Sequence, residues 1–109
     1  MGKKVNYTER LRRFALNDAN LEAELAVQPP TLEPRAVALV RLAALVAIGG
    51  AEPTYGSEVD DAVSMGVTTA EIVDVLAAVT PIVGLPVAVA AASKLALALG
   101  FDPLGIDRD

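Results

Sequence analysis

The chain has 109 residues, a net charge of −5, and neither cysteine nor histidine. The absence of both residue types excludes thiol, disulfide and imidazole chemistry, and the acidic balance disfavours nonspecific binding to nucleic acid. No apolar stretch approaches the ~20 residues that span a bilayer, and no apolar run follows the basic opening as in a secretory signal. We therefore expect a cytoplasmic protein with no membrane contact.

Residues 1–30 predict a helical arm. Apolar residues recur at helical spacing from Tyr7 to Leu16, and Leu21 to Val27 could form another one or two turns before the breaker at residues 28–30. Five basic residues lie between Lys3 and Arg13. Such an opening can bind phosphate, but in an acidic chain a solvated helix face or ion pairs are the preferred interpretation, and nucleic-acid binding is a distant alternative.

A second, strongly apolar helix is predicted after this arm. Thr31 is a suitable N-cap, and Pro34 suits the first turn of a helix. Residues 36–48 read AVALVRLAALVAI, in which Arg41 is the only polar residue. A helix that is apolar all round is expected to lie centrally and to be covered on most faces. The glycine pair at 49–50 should end it.

The following segment, AEPTYGSEVDDAVSMG, predicts a helix whose start is ambiguous. Pro53 could occupy the first turn after Glu52, or the helix could begin after Ser57, whose hydroxyl could cap it. Gly66 is the expected residue just beyond its C-terminus.

Thr68 and Glu71 form the pattern of a capping box, so the next helix should begin there and continue to about Val79. The capping box accounts for Glu71, to which we assign no chemistry. The sequence PIVGLP at 81–86 predicts a break, because it combines two prolines with a glycine.

A last helix is predicted over residues 87–99, followed by a short tail. Ser93 and Lys94 are its only polar residues, and Lys94 is interpreted as a side chain that extends toward solvent. No segment shows the alternation of a strand. The predicted fold is a small all-α bundle of five to six helices, with an N-terminal helical arm at 1–30 and a helical core with its tail at 31–109.

Composition favours assembly of this small body. Hydrophobic residues make up 53% of the chain and the mean hydropathy is +0.46, although aromatic residues are only 4%. A chain of this size has a large surface relative to its volume, so part of the apolar surface should be buried between subunits. We expect a homo-oligomer; the alternative is a monomer with an alanine-rich core.

Three segments in order carry a resemblance to a known family. They are LEPRAVALVRLAALVAIGG at 32–50, AVSMGVTTAEIVDVL at 62–76, and PIVGLP at 81–86 followed by an alanine-rich helix. This stretch resembles the carboxymuconolactone decarboxylase family, whose superfamily also contains alkylhydroperoxidase D. The resemblance implies an orthogonal helical bundle of the alkylhydroperoxidase D type that assembles as a dimer, trimer or hexamer.

The chain departs from that family at its reactive positions. The redox branch carries a C-x-x-C motif and a histidine, and the corresponding positions here are Ala51, Thr54 and Glu58. Alanine and threonine cannot supply a thiolate or resolve a sulfenate, so the peroxidase activity is not expected. The decarboxylase branch generally keeps the histidine, which Glu58 replaces. A carboxylate can still transfer protons where an apolar pocket raises its pKa.

Glu58 and Asp61 are the candidate catalytic residues. They are three residues apart and share a helix face, where paired carboxylates can divide acid and base roles. The competing interpretation of Glu58 is a carboxylate stabilised by the helix dipole, and that of Asp61 is an exposed acidic residue. One carboxylate cluster without further ligands predicts no metal site and no cofactor.

Arg41, Tyr55 and Thr54 are the candidate substrate-binding residues. Arg41 could hold a substrate carboxylate, but it could equally form an ion pair or extend toward solvent. Tyr55 could orient a substrate oxygen or lie partly buried at an interface.

Two functions follow as hypotheses. The first is non-redox proton-transfer chemistry, such as decarboxylation or isomerisation, on a small organic acid or lactone in an apolar pocket, with Arg41 holding a carboxylate and Glu58 moving the proton. The second is a non-catalytic oligomeric helical scaffold or small-ligand-binding module that has lost the family's chemistry.

Overall fold

The computed structural model describes residues 6–27 and 31–101, which form six α-helices and no strand. The helices are α1 (Tyr7–Ala15), α2 (Leu21–Val27), α3 (Pro34–Ile48), α4 (Glu52–Ser64), α5 (Thr69–Val83) and α6 (Leu85–Ala98). The all-α prediction is confirmed. The basic residues Lys3 and Lys4, the breaker at 28–30 and the tail after Phe101 lie outside the described residues. None of the described helices is long and apolar enough to cross a membrane.

The chain divides into two compact units, residues 1–31 and residues 32–109. The predicted domain boundary at residue 30 stays a prediction. In the first unit the Asn6 side chain caps α1 by accepting a hydrogen bond from the Glu9 amide, and Arg13 of α1 forms an ion pair with Glu24 of α2. No residue of α1 or α2 is buried.

The second unit is a bundle of four helices. Helix α3 packs against α4, α5 and α6, and α6 also packs against α4 and α5. Small and branched apolar side chains from all four helices form the core, among them Leu42, Val46, Tyr55, Val59, Ile72, Ala91 and Leu95. Burial of these side chains is the main stabilising contribution, at about 1.5–3 kcal/mol for each large one.

Helix α3 is covered on fewer faces than its composition predicts. Its buried face carries Leu42 and Val46, but Val40 and Ile48 are exposed, Ile48 to 78%. Its start also differs from the prediction. Glu33 occupies the N-cap position without a side-chain hydrogen bond, and the Thr31 hydroxyl instead lies 2.8 Å from the Tyr7 hydroxyl. The predicted N-cap at Thr31 is therefore wrong.

The ends of α4 and the start of α5 follow from local chemistry. Of the two starts left open, α4 begins at Glu52, so Pro53 lies in the first turn, where a missing N–H has no cost. After α4, Gly66 has a φ of +87°. The capping box of α5 is confirmed, because the Thr68 side chain accepts from the Glu71 amide and the Glu71 side chain accepts from the Thr68 amide.

The predicted break at 81–86 is wrong in its position. Helix α5 continues through Pro81 to Val83, and α6 begins at Leu85, so a single glycine separates the two helices. Pro81 lies in the last turn, so its missing N–H removes one backbone hydrogen bond near the end of the helix and leaves the preceding turns intact. Gly84 has a φ of +89°, a conformation that glycine adopts without strain, and this turn allows α6 to fold back on α5.

Candidate functional site

A cavity of about 340 Å³ lies where the C-terminal end of α3 meets the first turn of α4 and the N-terminal half of α6. Its walls are almost entirely apolar and include Val46, Ala47, Ile48, Pro86, Val87 and Ala90. This volume is at the lower end of the range that holds small organic ligands. The chemistry of the cavity therefore depends on its few polar groups.

Among the described residues of this lining, Lys94 of α6 is the charged one. Its side chain is partly buried, and its Nζ donates a hydrogen bond to the Gly50 carbonyl oxygen at 2.8 Å. The same nitrogen lies 6.0 Å from the centre of the Tyr55 ring, at the limit of a cation–π contact. Within the described residues, no carboxylate forms an ion pair with Lys94.

Tyr55 forms part of the cavity wall from the first turn of α4. Its side chain is fully buried, and its hydroxyl donates to the Leu45 carbonyl oxygen across 3.4 Å. Burial raises the pKa of the Tyr55 phenol, so the hydroxyl stays protonated and remains a donor at neutral pH. Tyr55 therefore contributes an aromatic surface, while its polar atom is directed to the backbone of α3.

The glycine pair after α3 determines where the Lys94 acceptor lies. Gly49 ends the helix in the left-handed conformation, with a φ of +72° and its amide bonded to the Leu45 carbonyl oxygen. At Gly50 an added Cβ would overlap the Leu45 side chain and lie 2.9 Å from its Cγ. Only glycine therefore lets the Gly50 backbone approach the core closely enough to place its carbonyl beside Lys94.

The two candidate catalytic carboxylates do not line this cavity. Glu58 is half-buried on α4, one turn after Tyr55. Its side-chain carboxylate makes no hydrogen bond or ion pair with any described residue. Asp61 is exposed. Their catalytic role stays a prediction.

Of the three candidate substrate-binding residues, only Tyr55 lies at the cavity. Arg41 is exposed on α3, and Thr54 is exposed in the first turn of α4, where its amide bonds to the Ala51 carbonyl oxygen. The fold brings together Tyr55 and Lys94, and leaves Arg41, Thr54 and Glu58 outside that group.

Lys94 was not predicted as a site residue, because its side chain was expected to extend toward solvent. In the structure it is partly buried at the cavity. It is a lone cation in an almost entirely apolar helix, which is the same signal that singled out Arg41 in α3. Position relative to the other helices separates the two, because Lys94 is partly buried and Arg41 is exposed. Sequence periodicity within one helix carries no information about which face a neighbouring helix covers.

A second groove, of about 370 Å³, lies between α5 and α6. Ile72, Leu76, Leu95, Leu99 and Phe101 contribute to it, and Ser93 is the polar residue in its lining. Its described lining contains no charged side chain and no candidate site residue, so these residues offer apolar surface and little chemistry.

Comparison of the chain with models of known protein families identifies one family. The model of the carboxymuconolactone decarboxylase family matches residues 14–97, which is more than half of the chain. The chain belongs to the carboxymuconolactone decarboxylase family. No curated protein and no solved structure matches it.

Within this carboxymuconolactone decarboxylase family member, the positions expected for the redox motif surround the start of α4. Ala51 is the N-cap residue of that helix, Thr54 lies in its first turn, and Glu58 follows one turn later. A helix N-terminus lowers the pKa of a thiol, but this chain has no cysteine to benefit from it. Thiol-dependent peroxide reduction therefore has no chemical basis in this chain.

Proposed function

We propose that this member of the carboxymuconolactone decarboxylase family is a small-ligand-binding protein whose ligand, a small organic acid or its lactone, occupies the cavity between α3, α4 and α6. The observation that supports it is the combination of an apolar wall, open to solvent on one side, with one partly buried cation, Lys94. Apolar lining with a few placed polar groups is the usual composition of a ligand site.

Binding is favoured over catalysis because no acidic side chain among the described residues lines the cavity. General acid–base chemistry needs a group within hydrogen-bond reach of the reacting atom. The Tyr55 hydroxyl is bonded to the backbone, and Glu58 lies outside the lining. The cavity can hold a molecule, and acid–base chemistry by a carboxylate would need a group from outside the described lining.

A titration followed by NMR tests this proposal. Small organic acids and lactones are added to the labelled protein, and the resonances of Ala47, Val87 and Ala90 report on the cavity. Ala90→Leu places extra carbons in the cavity and should abolish the shifts. Ala78→Leu, at an exposed position of α5 outside the lining, makes the same change elsewhere and should leave them intact. Equal binding by both variants would place the ligand elsewhere.

The second candidate function is proton transfer by Glu58, leading to decarboxylation or isomerisation. The specific observation in its favour is a half-buried carboxylate without a hydrogen-bond or ion-pair partner in the described residues, one helical turn from the cavity wall at Tyr55. A carboxylate without a partner is free to exchange a proton with a bound molecule. In this scheme Arg41 holds a carboxylate of the substrate, and Asp61 shares the proton with Glu58.

Replacement of Glu58 separates this function from simple binding. On any substrate that the protein converts, Glu58→Gln should lower kcat by about 10²–10⁴, the contribution of a general acid or base. Asp60→Asn, an exposed neighbour on the same helix, should leave kcat unchanged. Full turnover by Glu58→Gln would remove Glu58 from the mechanism.

We also propose that the protein is a homo-oligomer, within the range from dimer to hexamer. Several large apolar side chains of the second unit are exposed in the single chain, including Val40, Ile48, Ile82, Leu85 and Val89. Exposed apolar surface on this scale supports contact between subunits.

A further inference from the structure

We propose that Lys94 is the anion-binding residue of this cavity, and that the ligand is a monocarboxylate with a short apolar body. This inference rests on the proposed binding function. It adds the residue that recognises the ligand and the class of ligand that the cavity selects.

The first step is the state of the Lys94 charge. A partly buried ammonium is costly unless it is paired, yet its hydrogen-bond acceptor here is a neutral carbonyl, that of Gly50. Arg35, which is also partly buried, pairs with the Glu71 carboxylate instead. A ligand carboxylate would give Lys94 the opposite charge that no described residue supplies.

The second step is the position of the free donors. An ammonium has three N–H groups, and the Gly50 carbonyl accepts one of them. The centre of the Tyr55 ring lies 6.0 Å from the same nitrogen and accepts none of these hydrogen bonds. The other N–H groups belong to the same side chain, which lines the cavity. A carboxylate in the cavity can therefore accept from Lys94 without breaking its hydrogen bond to Gly50.

The contact with Gly50 also holds the ammonium in place. Gly50 follows Gly49, the C-cap residue of α3, and a cation is favoured near the carbonyl end of that helix because it carries a partial negative charge. The lysine side chain is therefore ordered before a ligand arrives, which reduces the entropy lost on binding.

The third step is the balance of charges and apolar surface. Among the described residues the cavity lining contains one cation and no anion, and it includes apolar side chains such as Ile48, Val87 and Ala90. One carboxylate is matched by Lys94, whereas the described lining offers no second cation and only apolar side chains next to a second carboxylate. The small volume limits the apolar body to a short chain or ring.

A purely structural role of Lys94, as a cap on α3, predicts a different outcome from that of an anion-binding role. A cap contributes to stability but makes no distinction between charged and neutral ligands. The decisive comparison is therefore between ligands that share a shape and differ in charge, measured on the same folded protein.

The experiment titrates the full chain with straight-chain acids from butyrate to octanoate, with the matching primary amides, and with adipate as a diacid, while NMR follows the cavity resonances. We expect the best monocarboxylate to bind about tenfold or more tightly than its amide, as expected for one charge-assisted hydrogen bond. Adipate should bind more weakly than hexanoate.

Variants at Lys94 complete the test. Lys94→Met keeps the apolar stem and should lower the affinity for the monocarboxylate to that of the amide, while the affinity for the amide stays unchanged. Lys94→Arg keeps the charge and should retain the preference for the acid. Arg12→Met, which removes an exposed cation outside the lining, should change neither affinity.

The outcomes separate this inference from the function on which it rests. If acids and amides bind equally well to the unmodified chain, or Lys94→Met binds the acid as tightly, Lys94 is not the anion-binding residue although the cavity still binds ligands. If neither acids nor amides shift the cavity resonances, the binding function fails and this inference with it. Should Lys94→Met not fold, the comparison of acid with amide on the unmodified chain and on Lys94→Arg decides alone.

Discussion

At the scale of single residues, Gly50 links the hydrophobic core to the candidate site. Its missing side chain leaves room for Leu45, and its carbonyl oxygen accepts the hydrogen bond from Lys94. The packing of Leu45 and the position of the Lys94 ammonium therefore depend on the same backbone atoms. The neighbouring Gly49 serves a separate purpose, since it supplies the left-handed turn that ends α3.

We predict that Gly50→Ala destabilises the protein by about 1–3 kcal/mol, because the new Cβ overlaps a buried leucine and either the leucine or the backbone must move. The measurement is the free energy of unfolding in urea.

Gly56→Ala is the matched control, since Gly56 lies inside α4 and a Cβ there meets no atom within 4 Å. That change should stabilise the protein by about 0.5–1 kcal/mol, because glycine is unfavourable within a helix. Two substitutions of the same kind are thus expected to have opposite signs, and equal effects would contradict the close approach at Gly50.

At the scale of helices, α3 and α5 are joined by a polar contact as well as by their apolar faces. Arg35 of α3 forms an ion pair with Glu71 of α5, and the same carboxylate oxygen accepts the Thr68 amide of the capping box at 2.9 Å. One carboxylate thereby stabilises the start of α5 and its packing against α3. This contact lay beyond the sequence prediction, which assigned Glu71 only to the capping box.

The hydrogen bond from Arg35, followed by that from the Thr68 amide, lowers the pKa of Glu71 from its usual 4.5 to about 2. Because the carboxylate is favoured in the folded state, its stabilising contribution is complete above pH 4.5 and is lost as the pH falls from there toward about 2. We predict that the free energy of unfolding decreases over this range and that Glu71→Gln makes the decrease smaller.

Asp74→Asn provides the control for this pH dependence, since Asp74 is an exposed carboxylate on the same helix that forms no ion pair with a described residue. Its replacement should leave the slope close to that of the unmodified chain. A slope for Glu71→Gln equal to that of the unmodified chain would show that the ion pair does not contribute in solution.

At the scale of the whole molecule, the apolar surface exceeds what the chain covers by itself. Ile82, near the end of α5, is 86% exposed, and Leu85 and Val89 of α6 are also exposed. The proposed homo-oligomer would bury such side chains, in agreement with the composition of 53% hydrophobic residues.

We predict a mass in solution that corresponds to a dimer or a larger oligomer of the 11.3 kDa chain, measured by light scattering after size exclusion. Ile82→Asp introduces a charge at the exposed apolar position and should weaken the association, with unchanged helical content. Thr69→Asp adds the same charge at the exposed start of α5 and should leave the mass unchanged. A monomer at micromolar concentration would contradict the proposal.

The sequence by itself determined the class of fold, most helix boundaries, and the exclusion of thiol and imidazole chemistry. These properties depend on local signals, such as the capping box at Thr68, the glycine at 49 and the absence of cysteine and histidine. Local signals gave wrong predictions at two helix ends. Thr31 does not cap α3, and Pro81 does not end α5, since the helix continues to Val83 although the proline lacks an N–H for one backbone hydrogen bond.

Only the tertiary structure decided which lone cation lies at a cavity. Arg41 and Lys94 look alike in the sequence, since each interrupts an apolar helix. The packing of α6 against α3 and α4 places Lys94 beside Gly50 and Tyr55, whereas Arg41 is exposed. The physical reason is that the burial of a side chain depends on the helices that pack around it, and those neighbours are distant in sequence.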